Sequence, residues 1–237
     1  MIVFYNILIA LMALLIGYIL GSVSFSVLIG KIFFHKDPRD YGSHNAGGTN
    51  AGRIYGKKIG VIVILLDMSK AILATYITWM IIYLTDVQTV LSTIGSHVIQ
   101  YYWLTPIGAC LGHCFSLFLH FRGGKAVSCY AGTIVGCSYF MTVIGAILFF
   151  VTLKMRKFVS LASITASTGL FLLSVLMVGL YEGGFLEVAY LMNGLLLIPT
   201  YEMAIALFLM TIILVLAHHA NIKRLHDGDE NKIKWMK

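Results

Sequence analysis

Long uncharged apolar runs, separated by short polar segments rich in glycine and lysine, dominate this chain. A helix needs about 20 mostly apolar residues to cross the hydrocarbon core. The pattern predicts seven such segments, over residues 2–30, 59–84, 89–118, 126–136, 139–153, 159–180 and 195–217. The fourth and fifth are short and separated only by Cys137-Ser138, so one long kinked span is the alternative. The first run is long and has no Lys or Arg before Lys31. A cleaved signal peptide has a basic start and a shorter apolar stretch, so this segment is expected to stay in the mature protein.

Composition sharpens the picture. Of 237 residues 59% are hydrophobic and only 11% charged, too few to cover a soluble domain without large apolar patches. The expectation is an all-α polytopic integral membrane protein, a single transmembrane domain over residues 1–237. Cys110, Cys114, Cys129 and Cys137 sit in apolar runs and read as small packing residues. The cations decide the threading. Lys36, Arg39, Arg53, Lys57 and Lys58 follow the first span, Arg122 and Lys125 the third, Lys154, Arg156 and Lys157 the fifth, and Lys223, Arg224, Lys232, Lys234 and Lys237 the seventh. The other connections hold Asp86, nothing, and Glu182 with Glu187. Positive charge marks the cytoplasmic face, which predicts the N-terminus outside and the C-terminus cytoplasmic. Orientation and attraction to anionic lipid explain the net charge of +7. They do not explain the glycine, serine and asparagine of the same loops.

Three clusters on that face could carry chemistry. The loop over residues 37–53 has glycines at 42, 47, 48 and 52 among Ser43, Thr49, Asn50 and Arg53. Backbone N–H groups, short hydroxyl or amide donors and a guanidinium suit a phosphate. The spacing is not that of a Walker A loop. A second turn, Gly123-Gly124-Lys125, opens into the fourth span, where unpaired N–H groups and the helix dipole favour an anion; Gly112-His113 lies at the end of the third. In the third cluster His218 and Asn221 are i, i+3 and share a helical face, suited to positioning a hydroxyl or moving its proton. Ser160 and Ser163 share a face at the start of the sixth span. Asp67 and Lys70, i, i+3 inside the second span, read as a structural pair that neutralises itself.

Taken in order, these segments resemble the bacterial membrane acyl-phosphate:glycerol-3-phosphate acyltransferases. The resemblance rests on Gly21-Ser22, on Gly42-Ser43-His44-Asn45 through Thr49-Asn50 and Arg53, on Gly112-His113 with Gly123-Gly124-Lys125, on Ser160 and Ser163, and on His218 through Leu225 with Glu230. His44 stands where that family usually has Gly, Gly48 where it has Ala, Ser116 where Pro is common, and Ala126 where Gly is usual. The resemblance implies seven helices with the N-terminus outside, in a bacterial inner membrane. It implies acyl transfer from acyl phosphate to the 1-hydroxyl of sn-glycerol 3-phosphate, giving lysophosphatidic acid and phosphate. Partners are these substrates and membrane lipids; no cofactor, metal or nucleic acid is implied, and no oligomeric state is fixed.

The residue assignments follow. His218, Asn221 and Ser43 are the candidate catalytic residues; Thr49, Asn50, Arg53, Gly123, Gly124, Lys125 and Ser163 bind substrate; Asp67, Lys70 and Glu230 are structural. An acyl phosphate is already activated, so the task is to hold two anions together and orient one hydroxyl. The competing class is a transporter or channel for a small anion, which needs polar groups at the midplane and on the outer face. A His-x4-Asp match at His35 and Asp40 also occurs, but Pro38 prevents an uninterrupted helix across it.

Overall fold

The structure, a computed structural model, describes residues 2–91, 93–94, 97–185 and 199–233. These form two compact units, Met1–Thr133 and Ile134–Lys237, within their described residues.

In the first unit, α1 (Ile2–Ser22) and α2 (Phe25–Phe34) share one apolar run but are separate helices. Ser22 lies at the break and donates from its hydroxyl to the Tyr18 carbonyl, a local bond that competes with a straight helical ladder. α3 (Gly48–Tyr55) and α4 (Lys57–Tyr83) are separated by Gly56, whose φ of 97° a side chain rarely adopts. They turn back closely because Gly60 faces Gly52: a Cβ on Gly60 would lie 2.7 Å from the Gly52 Cα. After α4 come a 3-10 turn (Asp86–Val90) and a short antiparallel pair, β1 (Thr93–Ile94) and β2 (His97–Val98), with Thr93 opposite Val98. A turn at Tyr101–Trp103 leads into α5 (Leu104–Cys114), followed by a turn at Leu117–Leu119.

The α1–α5 contact is the tightest seam of this unit, and small residues make it. A Cβ at Gly17 would collide with the Thr105 carbonyl, one at Gly21 with that of Ala109, one at Gly108 with that of Leu14 and one at Gly112 with that of Tyr18. Each helix thus presents Gly-x3-Gly to the other, the spacing that lets two membrane helices approach backbone to backbone.

α6 (Val127–Cys137) begins in the first unit and ends in the second, which continues with α7 (Tyr139–Arg156), α8 (Val159–Glu182), α9 (Tyr201–Ala217) and α10 (His219–Asp227). Ser138 separates α6 from α7 and caps the latter, its hydroxyl accepting from the Met141 N–H. Thr200 caps α9 in the same way. α9 and α10 meet at His218 with a bend of 57°.

Several sequence expectations need correction. The third segment does not start at residue 89; the apolar stretch there is turn and strand, and the span runs Tyr101–Leu119. Val90, Ile94 and Val98 supply apolarity without helical continuity. The first span is broken, and the β1–β2 pair departs from the all-α expectation among the described residues. Five helices are long and apolar enough to cross a membrane, or six with the bent α9–α10 pair. The fourth segment is α6, whose 11 residues reach about 16 Å, roughly half the hydrocarbon thickness. Residues 195–198 of the seventh segment, Glu187, Lys234 and Lys237 lie outside the described residues.

Candidate active site

In the first unit the loop between α2 and α3 is organised by Asn50. Its amide donates to the carbonyls of Pro38 at 2.7 Å and of Tyr41 and Asn45 at 3.0 Å, and its Oδ1 accepts from the Ser43 N–H at 2.8 Å. With 1% of its surface exposed, Asn50 shapes the loop that presents Ser43. Gly42 takes a φ of 64° and a Cβ there would strike the Asn50 amide oxygen. Thr49 lies exposed in the first turn of α3, which no side chain caps, and Arg53 is exposed in its last turn. Uncapped N–H groups, a hydroxyl and a guanidinium thus line one short helix. His44 also has positive φ, and its Nδ1 lies 3.0 Å from the Arg39 carbonyl.

Arg39 anchors this loop. Its guanidinium grips Asp37 through Nε at 3.0 Å and Nη2 at 2.7 Å, and Nη1 donates to the Leu119 carbonyl. Hydrogen bonding from Arg39 outweighs burial and holds the Asp37 carboxyl below its usual range. His35 and Asp40 do not hydrogen-bond to each other; His35 is exposed beyond the end of α2, and Pro38 starts a 3-10 turn.

The second glycine turn folds back onto the end of α5. Gly124 N–H donates to the His113 carbonyl at 2.8 Å and Gly123 N–H to that of Cys114 at 3.0 Å. A side chain on either would collide, Gly123 with the His113 carbonyl and Gly124 with His113 Nε2. Half-buried Lys125 and then Ala126, at a φ of 60°, lead into α6. The α5 exit is tied to the α1 break: Ser116 Oγ donates to the Ser22 carbonyl at 2.6 Å, and Leu117 N–H to Ser22 Oγ. Beneath the turn, Lys70 Nζ lies 2.8 Å from Asp67 Oδ1, 3.0 Å from His113 Nδ1 and 2.5 Å from the Val23 carbonyl. The expected Asp67–Lys70 pair therefore has a third member, His113, from a different helix.

In the second unit His218 and Asn221 are buried while His219 is exposed, as their spacing implied. His218 Nδ1 lies 2.8 Å from the Leu214 carbonyl. A carbonyl only accepts, so Nδ1 carries a proton, which in a neutral ring leaves the lone pair on Nε2. Asn221 donates to Glu230 Oε1 at 2.6 Å, Ser160 to the same oxygen at 2.9 Å, and Arg224 Nε to Oε2 at 2.8 Å. Burial pushes the Glu230 carboxyl up, but these three donors and the Arg224 charge hold it below its usual range. Glu230 thus fastens the segment after α10 to the start of α8, as a structural residue would. Ser163 is buried and donates to the Val159 carbonyl at 2.9 Å.

Sequence reasoning left Ser160 without a partner, left the membership of His113 in the Asp67–Lys70 cluster unseen, and did not use the paired Gly-x3-Gly runs, a signal present in the sequence. The first two are contacts between distant segments that no spacing reveals.

The comparisons agree with one another. Residues 11–228 match the family model described as glycerol-3-phosphate acyltransferase. The glycerol-3-phosphate acyltransferases of Staphylococcus aureus strains JH9 and Newman are each 34% identical over 224 residues, covering 94% of this chain and 97% of theirs. Among solved structures, the glycerol 3-phosphate form of PlsY, an integral membrane glycerol 3-phosphate acyltransferase, superposes with a TM-score of 0.73 at 26% identity, over 95% of this chain and 96% of that one. Its lysophosphatidic acid form gives 0.71 at 25% identity, over 95% of each chain. A match over nearly the whole length, in sequence and in fold, places this multi-pass membrane protein in the glycerol-3-phosphate acyltransferase family.

Proposed function

We propose that this protein transfers a fatty acyl group from acyl phosphate to the 1-hydroxyl of sn-glycerol 3-phosphate, releasing lysophosphatidic acid and inorganic phosphate. Both substrates are anions, and the donor is a mixed anhydride needing no covalent acyl-enzyme. The observation that carries this reading is the pair of glycine turns in the first unit, each opening into a helix N-terminus, the second carrying Lys125 and the first followed by Arg53 in the last turn of α3. Ser43, Thr49, Arg53 and Lys125 bind phosphate oxygens, with Asn50 holding the first loop in shape; Gly123 and Gly124, expected to offer backbone N–H groups, instead spend them on the Cys114 and His113 carbonyls and serve to fold the Lys125 turn close against α5. In the second unit, His218 Nε2 accepts the hydroxyl hydrogen while Asn221, fixed by Glu230, and Ser163 orient the acceptor. The hydroxyl oxygen bonds to the acyl carbon as the carbon–oxygen bond to phosphate breaks, and phosphate carries the electron pair away.

The reading includes a bacterial inner membrane, seven passes, and a cytoplasmic site with the N-terminus outside. Basic residues flank α6 and α7 at Lys125 and at Lys154, so an even number of crossings between them keeps both on one face. α6 suits the short crossing because Cys129, Tyr130, Thr133, Ile134 and Cys137 are all buried; surrounded by protein, its ends need not meet lipid.

Purified protein incubated with labelled glycerol 3-phosphate and either palmitoyl phosphate or palmitoyl-CoA tests the donor. Labelled lysophosphatidic acid with stoichiometric phosphate release is expected from the acyl phosphate alone. Product from palmitoyl-CoA alone would overturn the donor assignment.

A further inference from the structure

The Asp67–Lys70–His113 cluster lies outside the groups that handle substrate in the reading above, yet it lies directly against one of them. Lys70 is 5% exposed, and its ammonium has three N–H donors and no acceptor. Three acceptors surround it: the Val23 carbonyl at the α1–α2 break, the Asp67 carboxylate and His113 Nδ1. Neither Asp67 oxygen has a well-aligned hydrogen bond; the carboxylate is held by the Lys70 charge.

An ammonium on Nδ1 fixes the ring. Nδ1 must hold the lone pair, so the proton of the neutral imidazole sits on Nε2. That edge meets Gly124, the position at which any side chain would strike Nε2. The backbone bonds from Gly124 to the His113 carbonyl and from Gly123 to the Cys114 carbonyl complete the contact. A buried charge so deep in a helix bundle is costly to keep, and its three partners join the α1–α2 break, α4 and α5. We propose that Lys70 and His113 are positioning residues for substrate binding: Lys70 fixes His113 as the Nε2–H tautomer, and the fixed ring sets the Gly123-Gly124-Lys125 turn at the spacing a phosphate requires. This rests on the assignment of that turn to substrate phosphate.

The experiment has two arms. The first reads the tautomer in the full-length protein labelled with 15N-histidine in detergent micelles, the His113 signals being identified by their absence from whichever of His113→Asn and His113→Gln folds. A protonated Nε2 and an unprotonated Nδ1 are expected across neutral pH. A protonated Nδ1 overturns the proposal, and this arm needs no enzymatic activity. The second compares Lys70→Met and Lys70→Gln with the parent in acyl phosphate-dependent acylation. KM for a phosphate-bearing substrate should rise about tenfold while kcat stays within about threefold, the split expected when binding geometry is lost rather than chemistry. An unchanged KM in a folded Lys70 variant, or an equal fall in kcat with no change in KM, overturns it. A parent protein that gives no acylation while His113 shows the expected tautomer would instead sink the functional reading and leave the Lys70–His113 geometry standing.

Discussion

His44 and Ala126 hold left-handed backbone, at φ of 55° and 60°, where an L side chain costs about 1–2 kcal/mol. Both positions hold a backbone that a glycine adopts without strain. His44 offsets part of its cost through Nδ1 and the Arg39 carbonyl. His44→Gly should leave kcat/KM within about threefold of the parent, since relief of strain and loss of one hydrogen bond are of similar size. His44→Val should lower thermal stability and raise KM, because a β-branched residue at positive φ is a genuine outlier. Steady-state kinetics with melting curves in detergent decide between them. Equal behaviour of the two variants would mean the backbone at 44 is not left-handed in the working enzyme. The placement of the catalytic histidine is tested at the same scale. His218→Ala and Asn221→Ala should each cost about 10²-fold in rate, the usual scale for a positioned proton-transfer group. His35→Ala and Asp40→Ala should remain within a few fold, because Pro38 and the grip of Arg39 on Asp37 keep that pair from forming. Rates normalised to folded protein give the ranking, and the reverse order would move the chemistry to the first loop.

At the scale of elements, the α1–α5 seam and the Glu230 cluster make different demands. Gly→Ala in an exposed helix interior gains about 1 kcal/mol from propensity, and Gly179, with open space around it, should behave so. Gly21 faces the Ala109 backbone, which cannot move aside as a side chain can. Gly21→Ala should therefore lower the melting temperature while Gly179→Ala leaves it level or higher. Glu230 adds a pH dependence. Its carboxyl titrates lower folded than unfolded, so its stabilisation is complete above the unfolded value, about 4.3–4.5, and is lost as pH falls through the folded one. Hydrogen exchange in α10, corrected for intrinsic rates, should be flat from neutral to about pH 5 and accelerate only in stronger acid, and Glu230→Gln should show faster exchange throughout with no acid step. The elements legible in the sequence were those in which a single apolar run makes a single helix: residues 59–84 against α4, and 159–180 against α8. The α1–α2 break escaped because Ser22 and Ser24 barely change the apolar count, and the start of α5 escaped because Val90, Ile94 and Val98 are as apolar in turn and strand as in helix. In the candidate site the donor-rich loops were legible as composition. The role of Asn50 as organiser was not, since its four partners are backbone atoms whose positions depend on the folded loop.

Every basic cluster and both glycine turns of the candidate site belong to the connections that charge asymmetry assigns to the cytoplasm, whereas the described connections on the other side carry Asp86 and Glu182. Counting only helices long enough to cross alone would put Lys125 and Lys154 on opposite faces, since α7 would be the one crossing between them. That arrangement would leave a cluster of Lys154, Arg156 and Lys157 on the outer face, against the bias that sets orientation. In the proposed seven-pass topology the buried α6 supplies the second crossing. A cysteine placed at 36 should thus be protected from a membrane-impermeant thiol reagent on intact cells, and one at 182 should be labelled. The test needs a background without Cys110, Cys114, Cys129 and Cys137, all of them buried, and a further cysteine at 125 should match 36 while one at 154 matches both. Labelling at 36 with protection at 182 would invert the molecule and carry the phosphate-binding turns to the outside, where no acyl phosphate made in the cytoplasm could reach them; labelling that separates 125 from 154 would instead remove α6 as a crossing and leave six.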